Sequence, residues 1–170
     1  MALGHNVLYA PWRKEYWKSV TENGNKKKTC IFCKCLEKEI IFSSLKGYII
    51  PNKFPYAAGH LLIIPKRHVS NIVELTSKER EDIFNLIDLA VYTLDLYMKP
   101  DGYNIGCNIG KGSGGSIDHL HFHVLPRYVG DVGFTRIFNT DIISVSPENI
   151  IKDLKKLILK HKIAKKFNIQ

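Results

Sequence analysis

Apolar and polar positions follow two rhythms along this chain, and the rhythms separate strands from helices. Residues His119-Leu120-His121-Phe122-His123-Val124-Leu125 alternate strictly. A strand turns successive side chains to opposite faces, so this stretch puts three imidazoles on one face and Leu120, Phe122 and Val124 on the other. Compact apolar runs at Glu39–Phe42, Tyr48–Ile50, His60–Pro65 and Tyr103–Asn108 predict four more strands. The uninterrupted run after His60 reads as the central one. A turn is expected around Lys46-Gly47, and Pro51 to Pro55 breaks the sheet. The helical rhythm begins at Thr76-Ser77-Lys78-Glu79, a capping box, and continues through Ile83, Leu86, Ile87, Ala90, Val91 and Leu94 to a stop at Pro100-Asp101-Gly102. Ser146-Pro147-Glu148 signals a last helix with Ile150, Ile151, Leu154, Leu157 and Ile158 on its apolar side. Strands grouped around one long helix, with a helix at the end, indicate an α+β domain.

The histidine face is poor packing material and good chemical material, because imidazole is appreciably neutral near pH 7 yet exchanges protons there. Three readings of it are open: a solvated strand face, a three-histidine metal site, or a nucleophilic histidine supported by its neighbours. The segment just upstream, Asn108-Ile109-Gly110-Lys111-Gly112-Ser113-Gly114-Gly115-Ser116-Ile117-Asp118, narrows the choice. Its glycines let backbone N–H groups approach an anion, and its hydroxyls add donors. It lacks the spacing of a Walker A loop. Alone it would be a flexible turn. Joined directly to a row of histidines, it suits capture of a phosphate beside a nitrogen nucleophile.

Composition changes this picture little. A chain of 170 residues with 45% hydrophobic content is expected to form one domain and bury a core without disulfides. No apolar run is long enough to cross a membrane, and the start Met1-Ala2-Leu3-Gly4-His5 lacks a signal-peptide pattern, so a cytoplasmic location is expected. The formal charge of +9 comes with lysine segments, Lys26 to Lys28 and Lys152 to Lys166, that lie outside the loop and the histidine stretch. They read as solvated surface, with no specific nucleic-acid partner. Residues 19–29 are polar and read as a mobile surface loop. Four cysteines in a reducing compartment argue against a disulfide framework, while Cys30-Ile31-Phe32-Cys33 has metal-ligand spacing, with Cys35 just beyond. A lone CxxC also fits a redox pair or coincidence, and a zinc there would need histidines to complete it.

Taken together these residues resemble the histidine-triad (HIT) superfamily of nucleotide hydrolases and transferases. The carriers are His119 to Leu125, matching His-φ-His-φ-His-φ-φ without a gap, and Gly59-His60-Leu61-Leu62-Ile63-Ile64-Pro65-Lys66-Arg67-His68 ahead of the helix. Within it the chain looks most like the diadenosine tetraphosphate phosphorylase-like branch. That likeness rests on Ala10-Pro11-Trp12-Arg13-Lys14-Glu15-Tyr16, the CxxC, Asn52-Lys53-Phe54-Pro55, and Pro126-Arg127-Tyr128-Val129-Gly130-Asp131 with Gly133-Phe134. The resemblance implies an antiparallel sheet of about five strands with one long helix and a C-terminal helix. The expected layout over 1–170 is an N-terminal segment at 1–36, a core at 37–127 and a C-terminal extension with its helix at 128–170.

By that resemblance His121 is the nucleophile, forming a covalent nucleotidyl-histidine that water or phosphate resolves. His119 supplies a carbonyl that fixes the His121 tautomer, and His123 contacts phosphate or bridging oxygens. Asn108, Gly114, Gly115 and Ser116 bind phosphate, and Asn52 holds ribose hydroxyls, although a turn role fits Asn52 nearly as well. His60 either supports the triad or is a satisfied core histidine. Where many triad hydrolases carry Gln, this chain has Gly115, whose small size leaves room for attacking phosphate. Cys30, Cys33, His68 and His119 form the implied structural zinc set, with no organic cofactor and with a homodimer joined through the long helix and neighbouring strand. The expected substrate is a nucleotide or dinucleoside polyphosphate of the diadenosine tetraphosphate type. The competing functions are a nucleoside phosphoramidase and a non-catalytic nucleotide-binding adaptor.

Overall fold

A computed structural model describes residues 30–115, 117–129, 145–167 and 169. The Pro-Trp-Arg segment, the polar stretch 19–29, Ser116, and Gly130 to Phe134 therefore lie outside the described residues. Among these residues five strands appear: β1 (Phe42–Ser43), β2 (Gly47–Pro51), β3 (Leu61–Pro65), β4 (Gly102–Cys107) and β5 (Phe122–Arg127). Three helices accompany them: α1 (Ser77–Tyr97), α2 (Pro147–His161) and the short α3 (Ile163–Lys166). The sheet runs β1-β2-β3-β5-β4, with every neighbouring pair antiparallel. β3 holds the centre with all five residues buried. The α+β architecture with five strands, a long helix and a C-terminal helix is as the sequence implied.

Two boundaries differ from the sequence reading. Glu37–Glu39 forms a 3-10 turn, in which the Glu39 carboxylate accepts from the Leu36 N–H at 3.3 Å. Sheet pairing therefore starts later, with the Ile41 N–H donating to the Ile49 carbonyl at 2.8 Å. The second difference concerns the histidines. β5 begins only at Phe122, because β3 pairs with it over Leu61–Ile63 alone. Upstream of that ladder, the Leu120 N–H donates to the Val69 carbonyl at 2.6 Å. The alternation of faces persists through the unpaired residues, which is why the period-two reading still holds.

The sheet's two faces are filled differently. On one, Ile49, Leu61, Ile63, Leu120, Phe122 and Val124 pack with Ile83, Leu86, Leu89, Ala90 and Leu94 of α1 and Ile150, Leu154 and Ile158 of α2. Each such Leu, Ile, Val or Phe side chain contributes about 1.5–3 kcal/mol on burial. Gly47 lets α1 come close: a Cβ there would lie 2.7 Å from Leu86 Cδ1 and 2.9 Å from Ile83 Cδ1. On the other face Tyr48, Leu62 and Ile64 are covered by Phe32. The Tyr48 hydroxyl donates to the Phe32 carbonyl at 2.6 Å and so fastens the Cys30–Cys33 turn onto the sheet.

The helices start where the sequence placed them. Thr76 Oγ1 accepts from the Glu79 N–H at 3.3 Å while Glu79 Oε2 accepts from the Thr76 N–H at 2.9 Å. Glu79 is also gripped by Arg67, whose Nε and Nη2 donate to its two oxygens at 2.8 and 2.7 Å, so the loop carrying His68 is tied to the start of α1. Ser146 caps α2 by accepting from the Asn149 N–H at 3.3 Å, ahead of Pro147 in its first turn. Among the described residues no helix is long and apolar enough to cross a membrane.

Candidate active site and metal centre

The histidine face opens into a cleft bordered by Phe32, Asn52, Phe54, Asn108, Gly114 and Ile117, with His121 and His123 in its wall. His121 Nδ1 lies 2.8 Å from the His119 carbonyl oxygen. A carbonyl only accepts, so the ring proton sits on Nδ1 and the Nε2 lone pair is left for the cleft. Burial pushes the His121 pKa below the ordinary histidine value, against the opposing pull of that carbonyl. A neutral imidazole with an unprotonated Nε2 is a competent nitrogen nucleophile near pH 7.

His123 has the opposite tautomer, and the reason runs back through His60. The Tyr56 backbone N–H donates to His60 Nδ1 at 3.2 Å, and the Asn52 amide nitrogen lies 3.3 Å from the same atom. His60 therefore carries its proton on Nε2 and donates it to His123 Nδ1, 2.9 Å away. That leaves the His123 proton on Nε2, a buried donor without a hydrogen-bond partner among the described residues. Burial first, and the neighbouring histidines second, hold His60 down to about 3 and His123 down to about 4. Both are neutral at pH 7. The cleft thus presents one lone pair, on His121, beside one N–H donor, on His123; their ring centroids are 5.0 Å apart.

The glycine loop follows β4 and leads into the histidine stretch. Lys111–Ser113 forms a 3-10 turn closed by Gly114 at φ +84°, a left-handed conformation that suits glycine. Asn108 and Gly114 border the cleft. Gly115 sits behind them, where a Cβ would approach the Gly110 carbonyl oxygen to 3.2 Å. Asn52 also borders the cleft, but its Oδ1 accepts from the Phe54 N–H at 3.0 Å. It has the turn role that the sequence suggested and a place in the cleft as well.

At one end of the histidine row, Cys30, Cys33, His68 and His119 bring their ligand atoms within 4.8 Å of one another. Cys30 Sγ lies 3.2 Å from His119 Nδ1, and Cys33 Sγ lies 3.4 Å from His68 Nδ1 and 3.6 Å from His119 Nδ1. Tetrahedral zinc with bonds of about 2.0–2.1 Å to nitrogen and 2.3 Å to sulfur would separate such atoms by about 3.5 Å. His119 Nε2 donates to the Pro65 carbonyl at 2.9 Å, which turns the Nδ1 lone pair toward the sulfurs. The donor set fits a metal ion. Cys35 stands outside it: burial and the Glu39 carboxylate push its thiol up to about 11.

The sequence left His60 open between triad support and the core, and it assigned neither Phe32 nor Tyr56 to the site. His60 belongs to the histidine face rather than to the core, and the signal was present: His60, Leu62 and Ile64 share a face at period two, and Leu62 pairs with His123. Phe32 was read only as part of a CxxC, yet its ring centroid lies 5.1 Å from that of His121 and 5.8 Å from that of His119. Tyr56, tilted over His60 at 5.1 Å between ring centroids, left no comparable trace.

Comparison with known proteins points to one family. A family model described as the HIT domain matches residues 34–130, more than half of the chain. An "AP-4-A phosphorylase" of Mycobacterium tuberculosis is 35% identical over 112 residues, covering 65% of this chain and 56% of the relative. A "Bis(5'-adenosyl)-triphosphatase" of Saccharomyces cerevisiae is 34% identical over 120 residues, covering 67% of this chain and 58% of the relative. The chain thus spans a little over half the length of either relative. Among solved structures, a zinc-bound histidine triad family protein from Mycobacterium smegmatis shares the fold, with a TM-score of 0.66 at 22% identity over 80% of this chain and 97% of that one. By motif, fold and family match, the chain belongs to the HIT domain family.

Proposed function

We propose that the chain cleaves a phosphoanhydride bond of a dinucleoside polyphosphate of the diadenosine tetraphosphate type, through a nucleotidyl group carried on His121. The observation that carries this reading is the pairing of the His121 Nε2 lone pair with the His123 Nε2–H, which has no partner among the described residues, in one cleft. Attack by Nε2 forms an N–P bond at the α-phosphorus and breaks the bond to the bridging oxygen. The His119 carbonyl, already accepting from Nδ1, stabilises the positive charge that builds on the ring. The leaving polyphosphate departs as an anion, its oxygen hydrogen-bonded by His123. Asn108, Ser116 and the backbone of Gly114 and Gly115 hold the phosphate, and Asn52 holds the ribose. Inorganic phosphate or water then attacks phosphorus and releases His121.

Resemblance to the phosphorylase-like branch favours phosphorolysis over hydrolysis, and Gly115 is kept small by its surroundings, since a Cβ there would lie 3.2 Å from the Gly110 carbonyl oxygen and 3.6 Å from Asn108 Cβ. The names of the mycobacterial and yeast relatives point to the same substrate class. Residues Cys30, Cys33, His68 and His119 hold zinc in a structural role, supplying a cross-link between the N-terminal segment and the catalytic stretch. We expect a reducing, cytoplasmic setting, in which those thiols stay available. A homodimer would form through α1 and the neighbouring β4, an edge strand that exposes Ile105, with Ile109 beyond its end. The test is incubation with diadenosine tetraphosphate with and without inorganic phosphate. Phosphate-dependent formation of ATP plus ADP is the expected result. Phosphate-independent cleavage would make the chain a hydrolase, and turnover of nucleoside phosphoramidates alone would sink the proposed substrate.

A further inference from the structure

Three handles of His119 are engaged in three directions. Its Nδ1 faces Cys30 and Cys33 Sγ at 3.2 and 3.6 Å, its Nε2 donates to the Pro65 carbonyl at 2.9 Å, and its own carbonyl accepts from His121 Nδ1 at 2.8 Å. Phe32 is placed in the same way. It sits inside the turn between the two cysteines, and its ring borders the cleft beside His121. The turn is lightly held otherwise: Ile31, Cys33 and Lys34 are exposed, and the described polar tie to the sheet is the hydrogen bond from Tyr48 to the Phe32 carbonyl. A segment of this kind has little local stability of its own.

We infer that the Cys30–Cys33–His68–His119 centre is a positioning device for the substrate cleft, and that an ion held there acts through Phe32 and the His119 carbonyl to fix the wall beside His121. His119 and Phe32 are positioning residues in this scheme. An ion that orders the turn leaves less ordering for a nucleotide to do, and a nucleotide packed against Phe32 leaves less for the ion. Such coupling is reciprocal: each ligand must tighten the other by the same factor. The inference rests on the proposed nucleotide and zinc readings.

The experiment measures zinc affinity of the full chain by competition with a chromogenic chelator, alone and with saturating AMP or adenosine. AMP affinity is measured in turn on zinc-loaded and zinc-stripped protein. The expected result is mutual tightening on the order of tenfold. It should persist with adenosine, which has no phosphate charge to attract the cation, and shrink in Phe32→Ala while zinc stoichiometry is retained. Should stripping unfold the chain, the cobalt(II)-loaded protein serves instead: adenosine should shift its visible absorption bands in the wild type and not in Phe32→Ala. Failure to bind zinc overturns the metal reading and this inference with it, and failure to bind AMP or adenosine overturns the nucleotide reading likewise. Binding of both with independent affinities, tightening by AMP but not adenosine, or tightening that survives Phe32→Ala overturns the positioning role while leaving both readings intact.

Discussion

On the helix side of the sheet, Leu61, Ile63 and Val124 meet aliphatic groups of α1 and α2, and what matters about each is its volume. On the other side, His60, His119, His121 and His123 each have an identified atom as partner, at 2.8 to 3.3 Å. The strands are shared, but the tolerances are not. Aliphatic contacts accept volume-conserving exchange at a cost of about 1.5 kcal/mol or less, whereas a histidine's use depends on which nitrogen holds the proton. Stability therefore resides mainly on one face and chemistry on the other.

The sharpest break between them pairs one substitution from each. His121→Ala should lower turnover of diadenosine tetraphosphate on the order of 10⁵- to 10⁶-fold, the scale seen when a covalent nucleophile is removed. Thermal unfolding should move little, because no helix rests on that ring. Ile63→Ala, at a position with no exposed surface, should cost about 2–5 kcal/mol while the folded fraction keeps its kcat. Urea unfolding and steady-state kinetics on both variants check this. Normal turnover by His121→Ala would end the covalent reading.

How legible each face was in the sequence follows from the same contrast. The helix face was read from periodicity because burial is a property of single residues repeated at fixed spacing: the capping box at Thr76, the stripe from Ile83 to Leu94 and the cap at Ser146 were all found where expected. The relay from Tyr56 through His60 to His123 includes a step across 63 residues, and no local pattern states which ring nitrogen faces which. The start of β5 at Phe122 was likewise hidden, because it depends on where its pairing with Ile63 of β3 and Cys107 of β4 stops rather than on the alternation of the triad itself.

A smaller effect is expected one step from the proposed nucleophile. His123→Ala removes the donor proposed for the leaving oxygen, and kcat should fall on the order of 10²- to 10³-fold. His60→Gln should cost less, since the glutamine amide can still donate to His123 Nδ1 in place of the imidazole Nε2–H. KM should change little in both if the contact strengthens only as charge develops. An unchanged kcat in His123→Ala would remove it from the mechanism.

The smallest predicted effect is the slope of stability against pH, and it turns the contrast between faces into a single measurement. His60 and His123 are held down to about 3 and about 4, chiefly by burial, against an ordinary value of 6.5. As pH falls below 6.5 the unfolded chain takes up protons that these two native imidazoles refuse. Native stability therefore declines with falling pH, by up to about 1.4 kcal/mol per pH unit for each group, until each native ring titrates. Glu79 gives the same sign in a lower window, because Arg67 and Thr76 hold its carboxyl down to about 2 from an ordinary 4.5. Between 6.5 and about 5 the slope thus belongs mainly to histidines. His60→Gln, compared with wild type at equal zinc content, should flatten that slope by one group's share. Ile63→Ala should lower the whole curve and leave its slope alone. Equal slopes in wild type and His60→Gln would mean that His60 accepts a proton in the native cleft, and the tautomer relay behind the role proposed for His123 would fall with it.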